Sequence, residues 1–269
     1  MDEGFARQNG KSANGRDGDM YRYQQPSRPV PTRQELLDGG INVAVGIPME
    51  RSLSDWAFIH FWQIAKRGWP LVDHVYGRTD INRNRMGMWL LDNPEYTHLL
   101  MLDIDHIHAA DVVERLAMHA LEDPDKLVIG GLHFRRAAPF EPCAFVFGKD
   151  GRLHAPVDWP AGLLQVHALG HGSLLISRKF FERVPLPWWA YTYESVEENI
   201  FPSEDMWFSH ICRQNGVKLW VDTTVTSPHL IANLVDEDTF RRYIAENPAA
   251  VQAKDEIGRQ EPELQEELA

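Results

Sequence analysis

Short apolar runs alternate with segments of helical periodicity through the first half of the chain, and this alternation is the strongest constraint on its fold. The runs of strand length lie at 41–49, 71–77, 97–105 and 126–134, and the helical segments lie at 54–68, 82–94 and 109–123. Strands that alternate with helices of this length predict an α/β fold with a mostly parallel sheet covered on both faces. Ligands bind at the carboxyl ends of the strands in such sheets, so polar residues just after each run are candidates for a site.

The second half of the chain is less regular and predicts a smaller antiparallel region. The stretch 141–156 predicts a hairpin, and 163–184 predicts two strands around a glycine turn followed by a helix. A helix that begins after Ser203 and a strand over 217–230 complete the pattern. The sequence shows no internal repeat and no apolar run of membrane-spanning length.

The two ends of the chain differ from its centre in composition, with a polar start and an acidic end. The net charge is −12, and the segment from Asp236 onwards holds ten acidic and four basic residues. The polar start predicts a flexible arm over 1–40, and 236–269 predicts an acidic tail that is helical or disordered. An acidic chain gains no general attraction to nucleic acid, which argues against a protein that coats DNA.

The cysteines and the first residues indicate the compartment. Cys143 and Cys212 are far apart and form no C-x-x-C pair, so a disulfide framework is not expected. Residues 1–20 contain no apolar core of a signal peptide. We therefore expect a protein of the cytoplasm.

Two aspartates follow the third predicted strand, in the stretch HLLMLDIDHIH at 98–108. A period of two places Asp103 and Asp105 on the same side of the strand, where both carboxylates can converge on Mg²⁺ or Mn²⁺. The plainer alternative is a solvated strand end with an Asx turn. A haloacid-dehalogenase-type phosphatase also opens with D-x-D, but Ile107 stands where a Thr or Val is usual, so this alternative is weaker.

Three further elements carry polar groups of possible chemical use. Glu204 and Asp205 lie in the first turn of the helix after Ser203, where one carboxylate can serve as a general base or both can simply stabilise the helix end. His229 follows a strand and can complete a metal site or lie on the surface. The stretch ALGHGSLL at 168–175 allows a tight turn or close approach of the backbone to a ligand, and it is not a dinucleotide-binding loop.

These elements occur in an order that resembles the GT-A glycosyltransferases. The stretches are VAVGIPM, NRNRM, YTHLLMLDIDH, VIGGLHFRR, VHALGHGSLLISRKFFE, SEDMWFSHICRQNGVKLWVD and PHL. More narrowly, they resemble the compact family-2-like transferases of bacteria and their phages. The resemblance implies a GT-A type sheet, a catalytic domain over 41–235, and the cytoplasm of a bacterium or of a phage-infected host.

The resemblance also implies roles for individual residues. Asp103, Asp105 and His229 would bind the metal, and Asp205, with Glu204 beside it, would be the catalytic base. The donor, for which a UDP-sugar is favoured, would contact Ile47, Pro48, Arg83, Asn84, Ile104, Gly170, His171 and Gly172. His171 departs from the family pattern, in which a small or hydroxyl residue often stands between such glycines.

The acceptor is expected at the aromatic stretch PLPWWAYTYES, 185–195. Trp188, Trp189, Tyr191 and Tyr193 can stack on sugar rings or on bases, and packing in the core is the alternative. The implied reaction moves a sugar to a hydroxyl of a saccharide, of a metabolite, or of a hydroxymethylated base in phage DNA. A non-catalytic nucleotide-sugar or carbohydrate-binding protein and a nucleotidyltransferase remain as alternatives.

Overall fold

A central sheet with helices on both faces forms the body of the protein in a computed structural model, which describes residues 29–49, 55–75, 77–192, 203–230 and 234–249. The helices are α1 (Arg33–Asp38), α2 (Asp55–Lys66), α3 (Thr79–Asp92), α4 (Val112–Glu122), α5 (Arg178–Arg183), α6 (Glu204–Gln214) and α7 (Glu237–Glu246). The strands are β1 (Val43–Met49), β2 (Leu71–Val75), β3 (His98–Leu102), β4 (Val128–Leu132), β5 (Ala144–Phe147), β6 (Leu153–His154), β7 (Leu163–Val166), β8 (Ala168–Leu169), β9 (Ser173–Ser177), β10 (Leu219–Thr226), β11 (His229–Leu230) and β12 (Leu234–Val235).

The large sheet has the strand order β2-β1-β3-β9-β4-β10-β7. Strands β2, β1, β3, β4 and β10 run parallel, whereas β9 and β7 run antiparallel to their neighbours. Strands β6, β5 and β8 form a small antiparallel sheet. The predicted fold class, a mostly parallel GT-A type sheet with a smaller antiparallel region, is therefore confirmed.

The strand residues alternate between two hydrophobic cores, one on each face of the sheet. Leu99 of β3 packs in the same core as Met86 of α3, whereas the next residue, Leu100, packs in the core that contains Phe61 of α2. Successive side chains of a strand point to opposite faces, so a strand covered on both sides is apolar throughout. This explains why the central runs lack the alternation of polar residues that marks a half-exposed sheet.

Folded segments extend into both predicted ends. Helix α1 lies within the predicted flexible arm, so this part of the arm is folded. Thr32 and Glu35 form a capping box, and Leu36 is fully buried. Helix α7 lies in the predicted tail, and its Phe240 is buried with ring centroids 5.9 Å from Phe134 and 6.1 Å from Trp159. The remaining parts of these predictions, 1–28 and 250–269, lie outside the described residues. Within the described part of the chain, no helix has both the length and the apolar character needed to cross a bilayer.

Candidate active site

The parallel strands bring polar residues together at one edge of the sheet. Asp103 directly follows β3, His133 directly follows β4, and His229 lies just beyond β10. Because β9 is antiparallel, its beginning and the preceding stretch Gly170–Gly172 lie at this same edge. A cavity of about 790 Å³ opens there, and the predicted residues that line it are Pro48, Arg83, Asp103, Ile104, Asp105, His171, Tyr191, Glu204, Asp205 and His229.

Arg83 lies at the centre of the acidic residues of the site. Its Nη2 donates to both carboxylate oxygens of Asp103 at 2.9 and 3.0 Å, and its Nη1 donates to Glu204 at 2.8 Å and to Asp205 at 2.6 Å. The Arg83 side chain is only 2% exposed. A buried guanidinium needs such partners, and each of these carboxylates is in turn fixed in position by it.

His171 contacts Asp205 from inside the protein. Its Nδ1 lies 2.8 Å from Oδ1 of Asp205 and also 2.9 Å from the indole Nε1 of Trp189. A ring nitrogen carries either a proton or a lone pair, so Nδ1 either donates to Asp205 or accepts from Trp189, but not both at once. We infer that the proton on Nδ1 is directed to Asp205, because a carboxylate is the stronger acceptor for it.

The two carboxylates at the start of α6 differ in pKa. Burial favours the neutral form of Asp205, but the charges of His171 and Arg83 outweigh it and hold the pKa well below its usual range. Burial and the negative charge of Asp205 raise the pKa of Glu204, although Arg83 acts in the opposite direction. Environments that push the pKa values of two adjacent acids apart are typical of active sites.

Asp105, His106 and His229 form a second group across the same cavity. Nδ1 of His106 lies 2.9 Å from Oδ1 of Asp105, and Nε2 of His229 lies 3.9 Å from the same oxygen. One ligand atom from each residue lies within 4.8 Å of the others, a spacing that fits a single bound cation. Burial and the charge of His106 lower the pKa of His229 to about 4, so its imidazole is neutral at physiological pH.

The two glycines of the 170–172 stretch leave space for histidine rings. A Cβ at Gly170 would lie 2.5 Å from Nε2 of His133, and a Cβ at Gly172 would lie 2.7 Å from Nε2 of His106. Both distances are too short for any side chain. Glycine is needed at these positions because the histidine rings approach the backbone closely. The glycines therefore shape the wall of the cavity and do not themselves line it.

Several predicted site residues belong to the core. Trp188 and Trp189 are 2% and 1% exposed, so the prediction that they stack on an acceptor is wrong. Trp189 stacks on Phe208 with a centroid distance of 4.7 Å. Asn84 uses its amide to bond the backbone of Asp80, Trp188 and Trp189, so it supports the structure and does not contact a donor in the cavity.

The remaining predicted positions are divided between core, cavity and undescribed chain. Ile47 is 6% exposed and packs in the core, whereas its neighbour Pro48 reaches the cavity. Tyr191 lines the cavity with its side chain partly exposed, as an acceptor residue would. Tyr193 lies outside the described residues.

Sequence reasoning assigned no site role to His106 or His133. Both line the cavity and are nearly fully buried. His133 comes directly after β4, so the rule that predicted Asp103 after β3 also applies to it. His106 carries a weaker signal, because it lies in a turn beyond the strand, where side-chain direction no longer follows a period of two.

The fold is of the GT-A α/β type, and the cavity at the carboxyl edge of its sheet is the candidate site. No protein-family model matches the chain, and no curated protein matches it by sequence. The chain is similar in fold to A197 from STIV, with a TM-score of 0.53 and 16% identity over 71% of this chain and 86% of that one.

Two other solved structures are more distant. GalNAc-T7, solved with UDP, GalNAc and Mn²⁺, aligns with a TM-score of 0.46 and 12% identity over 76% of this chain and 48% of its own. A glycosyltransferase involved in the glycosylation of the major capsid of PBCV-1 aligns with a TM-score of 0.32 and 11% identity over 52% of this chain and 61% of its own.

Proposed function

We propose that the protein is a metal-dependent glycosyltransferase that moves a sugar from a nucleotide-sugar to an acceptor hydroxyl, with 41–235 as its catalytic domain. One observation carries the proposal: the carboxylate of Asp205 and a group around Asp105 whose spacing fits a cation line the same cavity. A transferase of this kind needs a base for the acceptor and positive charge for the leaving diphosphate.

The residues present fit a divalent cation, Mn²⁺ or Mg²⁺. Asp105 is ionised because hydrogen bonding and charge from His106, together with the charge of Arg136, outweigh burial and keep its pKa low. His229 presents a neutral imidazole, the form that binds metals. A cation held there supplies charge that stabilises a departing diphosphate.

Asp205 is the candidate base. Its carboxylate is held by Arg83 and His171 and is still 24% exposed to the cavity, so an acceptor hydroxyl can reach it. Because Arg83 fixes the carboxylate, little reorganisation is needed when the acceptor proton is transferred. Glu204, which shares Nη1 of Arg83, lies beside it with a raised pKa.

The donor and the acceptor would enter the cavity from its open side. Pro48 and Ile104 provide apolar wall for the nucleotide, for which we propose a UDP-sugar, and Arg136 lies beside Asp105 where phosphate groups would bind. Tyr191 provides an aromatic surface for the acceptor. The acceptor is a saccharide, a small metabolite, or a hydroxymethylated base in phage DNA.

Nucleotide-sugar turnover tests the proposal. The full chain is incubated with Mn²⁺ and a panel of nucleotide-sugars, and release of the nucleoside diphosphate is measured together with the thermal shift on donor binding. Asp205→Asn should keep donor binding and lose about 100-fold or more of the turnover. Asp125→Asn, a change at an exposed aspartate outside the cavity, is the control and should behave as the wild type.

The products separate the alternatives. Binding of a nucleotide-sugar without release of diphosphate would favour a binding protein, and pyrophosphate formed from a nucleoside triphosphate and a sugar phosphate would favour a nucleotidyltransferase. Full turnover in Asp205→Asn would remove the assigned base. Steeply salt-dependent DNA binding would favour the DNA acceptor among the acceptor classes.

A further inference from the structure

The two aspartates of the D-x-D pair have different partners, which changes the ligand set of the proposed cation. Both carboxylate oxygens of Asp103 receive hydrogen bonds from Arg83. A carboxylate oxygen can accept more than one partner, but the ligand atoms that lie within 4.8 Å of one another belong to Asp105, His106 and His229, and Asp103 is not in that group. To join it, Asp103 would have to move away from a buried guanidinium that also holds Glu204 and Asp205, which is costly. The structure therefore indicates a cation site without Asp103.

A hydrogen bond to the backbone fixes the tautomer of His229, so that one ring nitrogen is free to bind a cation. Its Nδ1 is hydrogen-bonded to the carbonyl oxygen of Phe134. A carbonyl oxygen only accepts, so the proton of the neutral ring is on Nδ1 and the lone pair of Nε2 is directed elsewhere. That Nε2 lies 3.9 Å from Oδ1 of Asp105, close enough for one cation to bind both atoms.

His106 offers a second nitrogen at the same place. Its Nδ1 lies 2.9 Å from Oδ1 of Asp105, and its ring lies against that of His229, with 3.7 Å between centroids and 35° between planes. The side chain is 2% exposed and cannot turn away into solvent. When Nδ1 binds a cation, the ring proton resides on Nε2, a buried nitrogen that has no hydrogen-bond partner among the described residues.

Arg136 is the charged group that a cation would displace. Its Nη1 lies 3.2 Å from Oδ2 of Asp105, and its side chain is 56% exposed. An exposed ion pair contributes little stability, so Arg136 can move away at small cost. The contrast with the buried Arg83 is direct: one aspartate is available to a cation and the other is not.

We propose that His106 is a ligand of the cation and that the set of two imidazoles and one carboxylate makes the site select Mn²⁺ over Mg²⁺. The proposal rests on the cation of the proposed function and specifies its ligands. Imidazole nitrogen suits transition metals, whereas Mg²⁺ prefers oxygen ligands in a strict octahedron. With Asp103 held by Arg83, the group supplies one carboxylate and two nitrogens.

Metal titration of two matched variants tests this. The full chain is stripped with EDTA and titrated by calorimetry with Mn²⁺ or Mg²⁺, with no donor or acceptor present. We expect the wild type to bind Mn²⁺ at least about tenfold more tightly than Mg²⁺. His106→Ala should weaken Mn²⁺ binding by about 10- to 100-fold. Asp103→Asn should bind Mn²⁺ as the wild type does, because Asp103 is not a ligand.

A spectroscopic measurement on the wild type keeps the test independent of variant folding. Electron spin echo spectra of bound Mn²⁺ should show coupling to two ¹⁴N nuclei, and His106→Asn should lose one of them. A single coupled nitrogen in the wild type, unchanged Mn²⁺ affinity in His106→Ala, lost affinity in a folded Asp103→Asn, a preference for Mg²⁺, or no cation binding would each overturn the proposal. Manganese binding as expected without turnover of any nucleotide-sugar would overturn the proposed function alone.

Discussion

The guanidinium of Arg83 holds both carboxylate oxygens of Asp103, at 2.9 and 3.0 Å. This pair joins helix α3 to the end of strand β3, and the same guanidinium reaches the start of α6 through Glu204 and Asp205. Three separate parts of the chain therefore meet at one buried charge. Its consequences for stability and for proton transfer can be measured.

Replacement of Arg83 should destabilise the fold. Arg83→Met leaves three carboxylates at the cavity without their shared cation, and we expect the free energy of unfolding to fall by about 3–5 kcal/mol at neutral pH. The loss should shrink as the pH falls toward about 5, because the unpaired carboxyls then bind protons and lose their repulsion. Urea denaturation at both pH values measures it.

The matched control for this change is Arg241→Met. Arg241 pairs with Glu237 at 2.6 Å on α7, and the two side chains are 45% and 19% exposed. Such a pair near the surface contributes about 1 kcal/mol or less, so this variant should unfold close to the wild type. Equal losses in the two variants would contradict the central role of Arg83.

Replacement of His171 should shift the pH dependence of turnover. His171 and Arg83 together hold the pKa of Asp205 below its usual range against the effect of burial. Asp103 is held by Arg83 through both carboxylate oxygens, and its pKa is raised because burial prevails. In His171→Asn the pKa of Asp205 should rise, and turnover should be lost at a higher pH than in the wild type as the solution is acidified.

The pH profile of kcat with a saturating donor measures this shift. His119→Asn is the control, because His119 is also buried and bonds a carboxylate, Asp222, at 2.7 Å outside the cavity. Its acid limb should stay where the wild type has it. An unshifted limb in His171→Asn would mean that His171 does not set the protonation of Asp205.

A methyl group at Gly172 should disturb the candidate cation site. Its Cβ would lie 2.7 Å from Nε2 of His106, so Gly172→Ala should displace that ring, cost about 1–3 kcal/mol of stability, and weaken Mn²⁺ binding. Gly170→Ala is the control, because its Cβ would contact His133. This variant should lose a similar amount of stability but bind Mn²⁺ more tightly than Gly172→Ala does. Thermal unfolding and metal titration of both variants decide the matter.

The aromatic stretch before α6 should divide into core and site. Trp188→Ala removes an indole that is 2% exposed and should cost about 3–5 kcal/mol of unfolding free energy. Tyr191→Ala removes a ring that is 44% exposed and lines the cavity, so it should cost far less stability and instead weaken acceptor use. Loss of acceptor use without loss of stability in Trp188→Ala would reverse this division.

Local sequence patterns predicted the strands and helices of the first half of the chain, and the polar residues at the carboxyl ends of the strands. The strand runs and helical segments of the first half occur within a few residues of their predicted bounds, since apolar periodicity is a property of the chain itself. The strand-end rule correctly placed Asp103, Asp105 and His229 at one cavity. The same rule also covered His133, to which no role was given.

Local patterns failed where two environments accept the same residue type. An indole packs equally well in a core and against a sugar ring, so the sequence alone could not place Trp188 and Trp189 in the core. An Asn on a helix can face a ligand or bond a distant backbone, and Asn84 does the latter, reaching Trp189 across 105 positions of the chain. Contacts at such separations have no local signature.

The sequence by itself determined the layered α/β order and the acidic and imidazole groups at the strand ends, because these follow from spacing along one segment. Only the tertiary structure decided which partner each group has. Arg83 from α3 forms an ion pair with Asp103, whereas His106 and His229 lie beside Asp105. Charge pairing acts through space over a few ångströms, so it is settled only when separate segments have packed together.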